Sequence, residues 1–370
     1  MNVKLNARKI DYVLLASIII LSLFGLLMVY SASNVVAKTR YDDSFYFFKR
    51  QLMFFIVGLI LMFVIIKSSL KKLEKKISTI FLISFISLFI VLIPGIGIVR
   101  GGARSWIGFG GFSVQPSEFM KLSLTALYAK YLADNYKDLK KLKNFIMVFF
   151  LAIVVFLVIM LQPDFGTGLV IVASAFFMIL ISGVPIKYFL VIIILGGLGI
   201  TALIISAPYR VERILAFINP WEDPLGSGFQ GIQSLFAITP GGLFGHGFNK
   251  SMQKHFFLPE PQNDFIFAIV VEEFGLIGGA IVLFFYFIII YRGIRISLSV
   301  ENNFFKFLSL GIVINLFVQV FINIGVVIGL LPVTGITLPL FSYGGSSLVL
   351  TMISLALLVS ISKYQNYDYR

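Results

Sequence analysis

The segment Pro259-Glu260-Pro261-Gln262-Asn263-Asp264 runs directly into the apolar stretch Phe265-Ile266-Phe267-Ala268. A carboxylate at such a boundary suits general-base work, because partial burial disfavours its ionised form and lifts its pKa toward neutrality. The same position equally suits an N-cap, in which the carboxylate accepts from helix N–H groups and does no chemistry. Spacing alone leaves both readings of Asp264 open. Glu272 and Glu273 follow eight and nine residues later. At 1.5 Å per residue they lie about 12–13 Å further along a helix, too far to form a close carboxylate pair with Asp264. They can contact other helices or line a polar cavity. Glu118 and Lys121 are spaced i, i+3, which permits a direct ion pair or a contact with substrate. Asp164 follows Pro163 and reads as the cap of the helix it opens.

These side chains are positioned by a chain that is mostly apolar. Of 370 residues, 59% are hydrophobic and only 13% charged, against about 25% charged in soluble domains. With no Cys, disulfide staples, Cys-based zinc sites and thiol catalysis are excluded. Ten segments approach the length of about 20 mostly apolar residues needed to cross a bilayer: 11–31, 51–67, 77–97, 116–134, 144–162, 165–183, 186–207, 264–291, 304–330 and 343–362. The fourth is the weakest, since it contains Ser117, Glu118, Lys121 and Ser123. The basic stretch Lys4 to Lys9 ahead of the first segment reads as a signal anchor rather than a cleaved leader. The fold class expected is therefore an all-α integral membrane bundle of about ten transmembrane helices, one polytopic domain over 1–370 without internal repeats.

The net charge of +13 would suggest nucleic acid in a soluble protein. Here the basic residues sort by side. With the N-terminus in the cytoplasm, nineteen of the thirty fall on that side, in clusters such as Lys67 to Lys76 and Lys130 to Lys143, and ten fall outside, with Lys121 within a span. The positive-inside rule then places both termini in the cytoplasm and leaves no role for nucleic acid. The same topology puts a long connection, about 207–263, outside the membrane between helices 7 and 8. It is too apolar for disorder and is expected to pack on the membrane surface or dip into the bundle. The outward cations Arg100, Arg104, Arg210, Arg213, Lys250 and Lys254 can bind an anionic head group; solvation and interfacial anchoring is the competing reading, and suits Arg100, Arg210 and Lys250.

Other patterns carry no chemistry. Gly241-Gly242-Leu243-Phe244-Gly245-His246-Gly247 follows no strand and leads to no Gly-Lys-Ser/Thr, so it is neither a dinucleotide fingerprint nor a P-loop. Its glycines suit tight turns and close packing. His246 and His255 lack an H-E-x-x-H context, which argues against a zinc hydrolase, and no metal-ligating set is assigned.

Several ordered motifs nevertheless resemble one family over nearly the whole chain. They include Tyr30-Ser31-Ala32-Ser33, Lys49-Arg50-Gln51, Gly102-Ala103-Arg104-Ser105-Trp106, Gln115-Pro116-Ser117-Glu118 with Lys121, and Gln162-Pro163-Asp164-Phe165-Gly166-Thr167. Further along come Asn219-Pro220-Trp221, Gly228-Phe229-Gln230, Gln253-Lys254, Leu258-Pro259-Glu260, Asn263-Asp264-Phe265, Glu272-Glu273, Leu331-Pro332-Val333-Thr334-Gly335 and Ser342-Tyr343-Gly344-Gly345-Ser346-Ser347. The set is similar to the shape, elongation, division and sporulation (SEDS) family of the bacterial cell wall, on its FtsW and SpoVE branch more than its RodA branch. Gln262-Asn263 departs from the His-Thr that many members carry before the Asp, so no role attaches to a His there.

The resemblance implies a multi-pass peptidoglycan glycosyltransferase of the bacterial cytoplasmic membrane that polymerises lipid II at the outer face, in division or cell-shape control. Asp264 falls on the family's catalytic Asp. Arg104, Trp106, Arg213, Gln230 and Lys254 are the expected substrate contacts, and Gln115, Glu118, Lys121, Glu272, Glu273 and Ser346 the expected structural or cavity-lining residues. No resident cofactor is implied, with a divalent cation, Mg or Mn, as an assisting candidate. The expected partners are lipid II, nascent glycan, a single-pass class B penicillin-binding protein and other division or elongation proteins. Two rival readings are a lipid II transporter, which would use Glu118, Lys121, Glu272 and Glu273 as a translocation path, and a scaffold for division proteins.

Overall fold

The computed structural model describes residues 10–109, 112–135, 141–206 and 208–365. Each of the ten apolar segments contains a helix. In chain order these are α1 (Tyr12–Tyr41), α2 (Tyr46–Lys67), α3 (Leu70–Ile90), α4 (Pro116–Asn135), α5 (Leu142–Met160), α6 (Phe165–Ile181) and α7 (Ile186–Ile205). After the long connection come α10 (Ile266–Ser299), α11 (Asn303–Val327) and α12 (Gly345–Ile361). Six of them, α1, α2, α5, α10, α11 and α12 (the last with its 3-10 extension), are long and apolar enough to cross a membrane, while α6 and the first part of α7 are shorter apolar helices. The other two fall short for a visible reason. Four Lys and a Glu lie within the first turns of α3, and α4 carries Glu118, Lys121, Lys130 and Asp134.

The core runs along α11, which packs against α4, α6, α10 and α12, while α2 lies along α12. Large apolar side chains such as Phe63, Ile83, Phe150, Ile194, Leu198 and Phe287 are exposed on the outside of the bundle. In water that would be a liability; for helices in hydrocarbon it is the surface the solvent requires. At one end Asp11 caps α1 through the Leu14 N–H at 3.0 Å and pairs with Arg292 of α10 at 2.7 Å.

Two features correct the all-helical, loop-connected expectation. Residues 97–109 and 112–114 form a three-stranded antiparallel sheet, β1 (Gly97–Arg100), β2 (Ala103–Phe109) and β3 (Phe112–Val114). Arg100 pairs with Ala103 across a two-residue turn in which Gly101 and Gly102 both have positive φ, 54° and 82°. That is the hairpin geometry whose twist matches the flanking strands. The third apolar segment accordingly ends as a helix at Ile90 and does not continue to 97. The long connection is also not irregular throughout, since it contains α8 (Pro208–Ile218) and α9 (Phe229–Ile238). Part of it packs against the bundle: α9 lies on α10 and α11, and Ser234 donates to the Val327 carbonyl at 2.7 Å.

Candidate active site

Asp264 lies two residues before α10, in a turn stiffened by Pro259 and Pro261 around Glu260, whose φ is 45°. Asn263 closes that turn on Glu260, through its backbone N–H to the carbonyl at 2.9 Å and its side-chain amide to the carboxylate at 2.6 Å. The N-cap position of α10 is Phe265, with no side-chain cap, so the capping reading of Asp264 does not hold. Its half-buried carboxyl is pushed up to about 6, chiefly by burial; the charge of Glu260 adds to the rise and Arg213 opposes it. Among the described residues no side chain hydrogen-bonds this carboxylate, which leaves it available as a proton acceptor near neutral pH. Arg213, exposed on α8, donates to the Val333 carbonyl at 3.2 Å and is the cation whose field reaches Asp264.

Glu272 and Glu273 sit deeper and are fully engaged. Glu273 accepts from the Ser31 hydroxyl at 2.6 and 2.7 Å and from the backbone N–H groups of Asn249 and Ser251 at 3.0 and 3.2 Å. Glu272 accepts from the Ser251 hydroxyl and from the N–H groups of Met252 and Gln253. The two carboxylates hold the connection against a break in α10. At Gly275 the backbone leaves the helix, with φ 67° and ψ −165°. The freed groups are matched by the connection: the carbonyls of Glu272 and Glu273 accept from His246 and Gly247, and the N–H groups of Leu276 and Ile277 reach Gly242 and Leu243. A Cβ at Gly245 or at Gly275 would lie 2.3 Å from the opposing backbone, which accounts for glycine at these two positions.

This arrangement alters the expected role of Lys254. It is 2% exposed, its ammonium donates to the backbone and side chain of Asn249, and it pairs with Glu273 at 3.6 Å. A buried ammonium committed to these partners is a strut under the connection and is not presented to a substrate.

The remaining expected residues divide between the sheet and the bundle. Arg104 and Trp106 lie on β2, half-buried; Arg104 donates to the Leu92 carbonyl at 3.5 Å, and the Arg100 guanidinium lies 5.2 Å from the Trp106 ring centre. Gln230 is half-buried on the first turn of α9, and the Ser346 hydroxyl is buried on the first turn of α12. Gln115 donates to Asp164 at 2.8 Å, and Asp164 caps α6 through the Thr167 N–H at 3.2 Å. Glu118 and Lys121 form an internal ion pair at 3.0 Å, extended by Lys121 to Gln319 at 2.6 Å, and with Thr125, Asn315 and Ser354 they are the polar groups of an otherwise mostly apolar cavity. Among the described residues no three His, Asp or Glu converge as a metal site.

Residues beyond the expected set also reach the Asp264 turn. The Tyr343 N–H donates to the Gln262 carbonyl at 2.8 Å, and the Tyr343 phenol, raised by burial, is opposed by Arg50 and Arg100. Asn323 of α11 donates to the Asp264 carbonyl itself, and Gln51 of α2 holds Ser342 and Gly344. The signal that could have found these amides was their presence inside apolar spans, where a polar side chain is costly unless matched.

The fold and the site together define a multi-pass membrane protein with a half-buried carboxylate at a helix entrance. The sequence matches the FtsW/RodA/SpoVE cell cycle protein family over residues 11–367, and the chain belongs to that family, in the bacterial cytoplasmic membrane. It is 49% identical to stage V sporulation protein E of Bacillus subtilis, covering 96% of this chain and 98% of that one. It is 39% identical to the probable peptidoglycan glycosyltransferase FtsW of Geobacter metallireducens, covering 98% of each. The solved structure of a chain from a peptidoglycan synthase complex, described for its coordination of polymerization and crosslinking, superposes with a TM-score of 0.80 at 28% identity, covering 96% of this chain and 99% of that one.

Proposed function

We propose that the chain is a peptidoglycan glycosyltransferase, acting in division or sporulation, with Asp264 as its general base. In this reading the Asp264 carboxylate takes the proton from the C4 hydroxyl of an N-acetylglucosamine unit. The resulting oxygen attacks the anomeric carbon of a lipid-linked muramyl unit, the bond from that carbon to phosphate breaks, and undecaprenyl pyrophosphate leaves. Displacement with inversion gives the β-1,4 linkage of a glycan strand, and lipid II is the substrate class. The observation that carries the reading is the half-buried carboxylate of Asp264, without a side-chain hydrogen bond among the described residues and raised to about 6 beside Arg213. A base with a pKa near the working pH combines the ionised form with useful basicity.

The leaving pyrophosphate needs positive charge. Arg213 is the first source, and Arg50, Arg100 and Arg104 extend it toward the sheet, where Trp106 can stack on a sugar; Gln230 serves as a polar contact on α9. A divalent cation, Mg or Mn, would take most of its ligands from the pyrophosphate, since no carboxylate set converges among the described residues. We assign ten crossings to the single 1–370 domain, both termini to the cytoplasm, and the 207–263 connection to the outer face. Glycan strands require crosslinking, and this chain carries no transpeptidase motif, which supports a class B penicillin-binding protein as its partner alongside other division proteins. The cavity that holds the Glu118–Lys121 pair is the feature a lipid II transporter would use instead.

The test is polymerisation of labelled lipid II by the purified full-length protein with its partner, in detergent, where sidedness is absent. Glycan chains are expected from the native protein and none from Asp264→Asn, a loss of about 10²–10⁴-fold. Normal polymerisation by Asp264→Asn ends the catalytic assignment, and no polymer from the native protein under any partner condition favours transport.

A further inference from the structure

A carboxylate in an irregular turn has no ladder of backbone hydrogen bonds to hold it in place. The Asp264 turn is held instead from α11. Asn323 is 1% exposed, and its side-chain amide donates to the Asp264 carbonyl at 2.7 Å and to the Ile336 carbonyl at 2.7 Å. Both acceptors are carbonyls, which fixes the nitrogen end of the amide, because only that end can donate. Its oxygen, by contrast, is buried and has no hydrogen-bond partner among the described residues. An unmatched buried acceptor opposes folding, so this amide is not simply the most stable filler of its position.

The second carbonyl that Asn323 holds belongs to the 331–344 segment between α11 and α12. That segment is anchored at its far end by Gln51, which is 1% exposed, donates to the Ser342 carbonyl at 3.0 Å and accepts from the Gly344 N–H at 3.2 Å. From there Tyr343 donates to the Gln262 carbonyl at 2.8 Å. The catalytic turn is thus tied at two of its carbonyls, 262 and 264, to a segment fixed on α2 and α11, and Asn323 makes the tie on the peptide of Asp264.

We propose that Asn323 is a positioning residue for the general-base step. By fixing the Asp264 peptide it fixes where the carboxylate meets the acceptor hydroxyl. The proposal rests on the reading of Asp264 as the base. It follows that Asn323 contributes to the chemical step and little to substrate affinity, because misplacing a catalytic group by about 1 Å can cost about 10²-fold in rate.

The experiment compares Asn323→Ala and Asn323→Ser with the native protein, full-length and co-purified with its transpeptidase partner. It measures lipid II polymerisation kinetics and thermal melting. Asn323→Ala is expected to lower kcat about 30- to 100-fold with KM within about 3-fold and the protein folded. Asn323→Ser, which keeps one donor, falls between. A native kcat in folded Asn323→Ala, or a loss carried by KM, overturns the proposal. If the Ala variant does not fold, the Ser variant decides in the same way, and failure of both to fold assigns Asn323 to structure and overturns the proposal. Asp264→Asn is run beside them. If it polymerises normally, the base reading itself fails; if it is inactive while Asn323→Ala is normal, only the positioning role fails.

Discussion

Asp264 and Glu273 are nine residues apart on one stretch of chain, and their carboxylates have opposite environments. Glu273 is fully buried and receives the Ser31 hydroxyl, two backbone N–H groups and the Lys254 ammonium. Asp264 is half-buried, has no side-chain hydrogen bond among the described residues and is raised to about 6. A carboxylate whose acceptor sites are matched in this way serves to hold the fold together. One that is desolvated without compensation costs stability and is poised to take a proton. Carboxylates of the same chemical kind therefore do different work on one stretch of chain because of what the connection between α7 and α10 supplies to each.

The comparison breaks most visibly at Lys254. Lys254→Met leaves Glu273 without its cation, and the expected result is a loss of about 3–5 kcal/mol of stability, read as a lower melting temperature. Glu273→Gln should lose a similar amount, and the double variant less than the sum of the two. A Lys254→Met protein that melts as the native one does but polymerises poorly would instead return Lys254 to the substrate.

The opposite sign is expected at the other carboxylate. A carboxyl raised in the folded state opposes folding when ionised; that penalty is absent below its unfolded value near 4 and complete above about 6. Asp264→Asn should therefore melt higher than the native protein at pH 7–8, by on the order of 2 kcal/mol after allowance for its partial exposure, and gain nothing at pH 4. A variant that melts lower at neutral pH would mean that the ionised carboxylate is matched after all.

Arg213 sharpens the comparison with a smaller effect. It is exposed, so Arg213→Ala should leave stability within about 0.5 kcal/mol. Loss of its charge should lower kcat/KM about tenfold, or about 1.4 kcal/mol, and move the acid limb of the rate profile to higher pH, since Arg213 holds the Asp264 pKa down. Unchanged kinetics would remove it from the site.

Much of this was legible in the sequence, and what was not had physical reasons. Asp264 stood out because a carboxylate at the edge of an apolar run is unusual whatever surrounds it. Glu118 with Lys121, and Asp164 as a cap, were legible because their partners lie within three residues or next door in sequence. Lys254 was misplaced because its residue type suggests an anionic ligand while its burial depends on Glu273, nineteen residues away on α10. The sheet at 97–114 was overlooked although Gly101-Gly102 is a strong hairpin signal, because the preceding apolar run reads as a helix continuing to 97. The amides of Gln51, Gln319 and Asn323 were present in apolar spans, but their carbonyl partners lie on other elements and appear only when the 331–344 segment is folded between α2 and α11.

The pH dependence of polymerisation tests the central claim most directly, because it reads the titration of the base in the working enzyme. With Asp264 raised to about 6, log kcat/KM for lipid II should rise with unit slope below that pH and level off above it. A profile that stays level down to pH 5, or that bends only near the ordinary carboxylate value of about 4, would contradict the assignment of a desolvated Asp264 as the catalytic base.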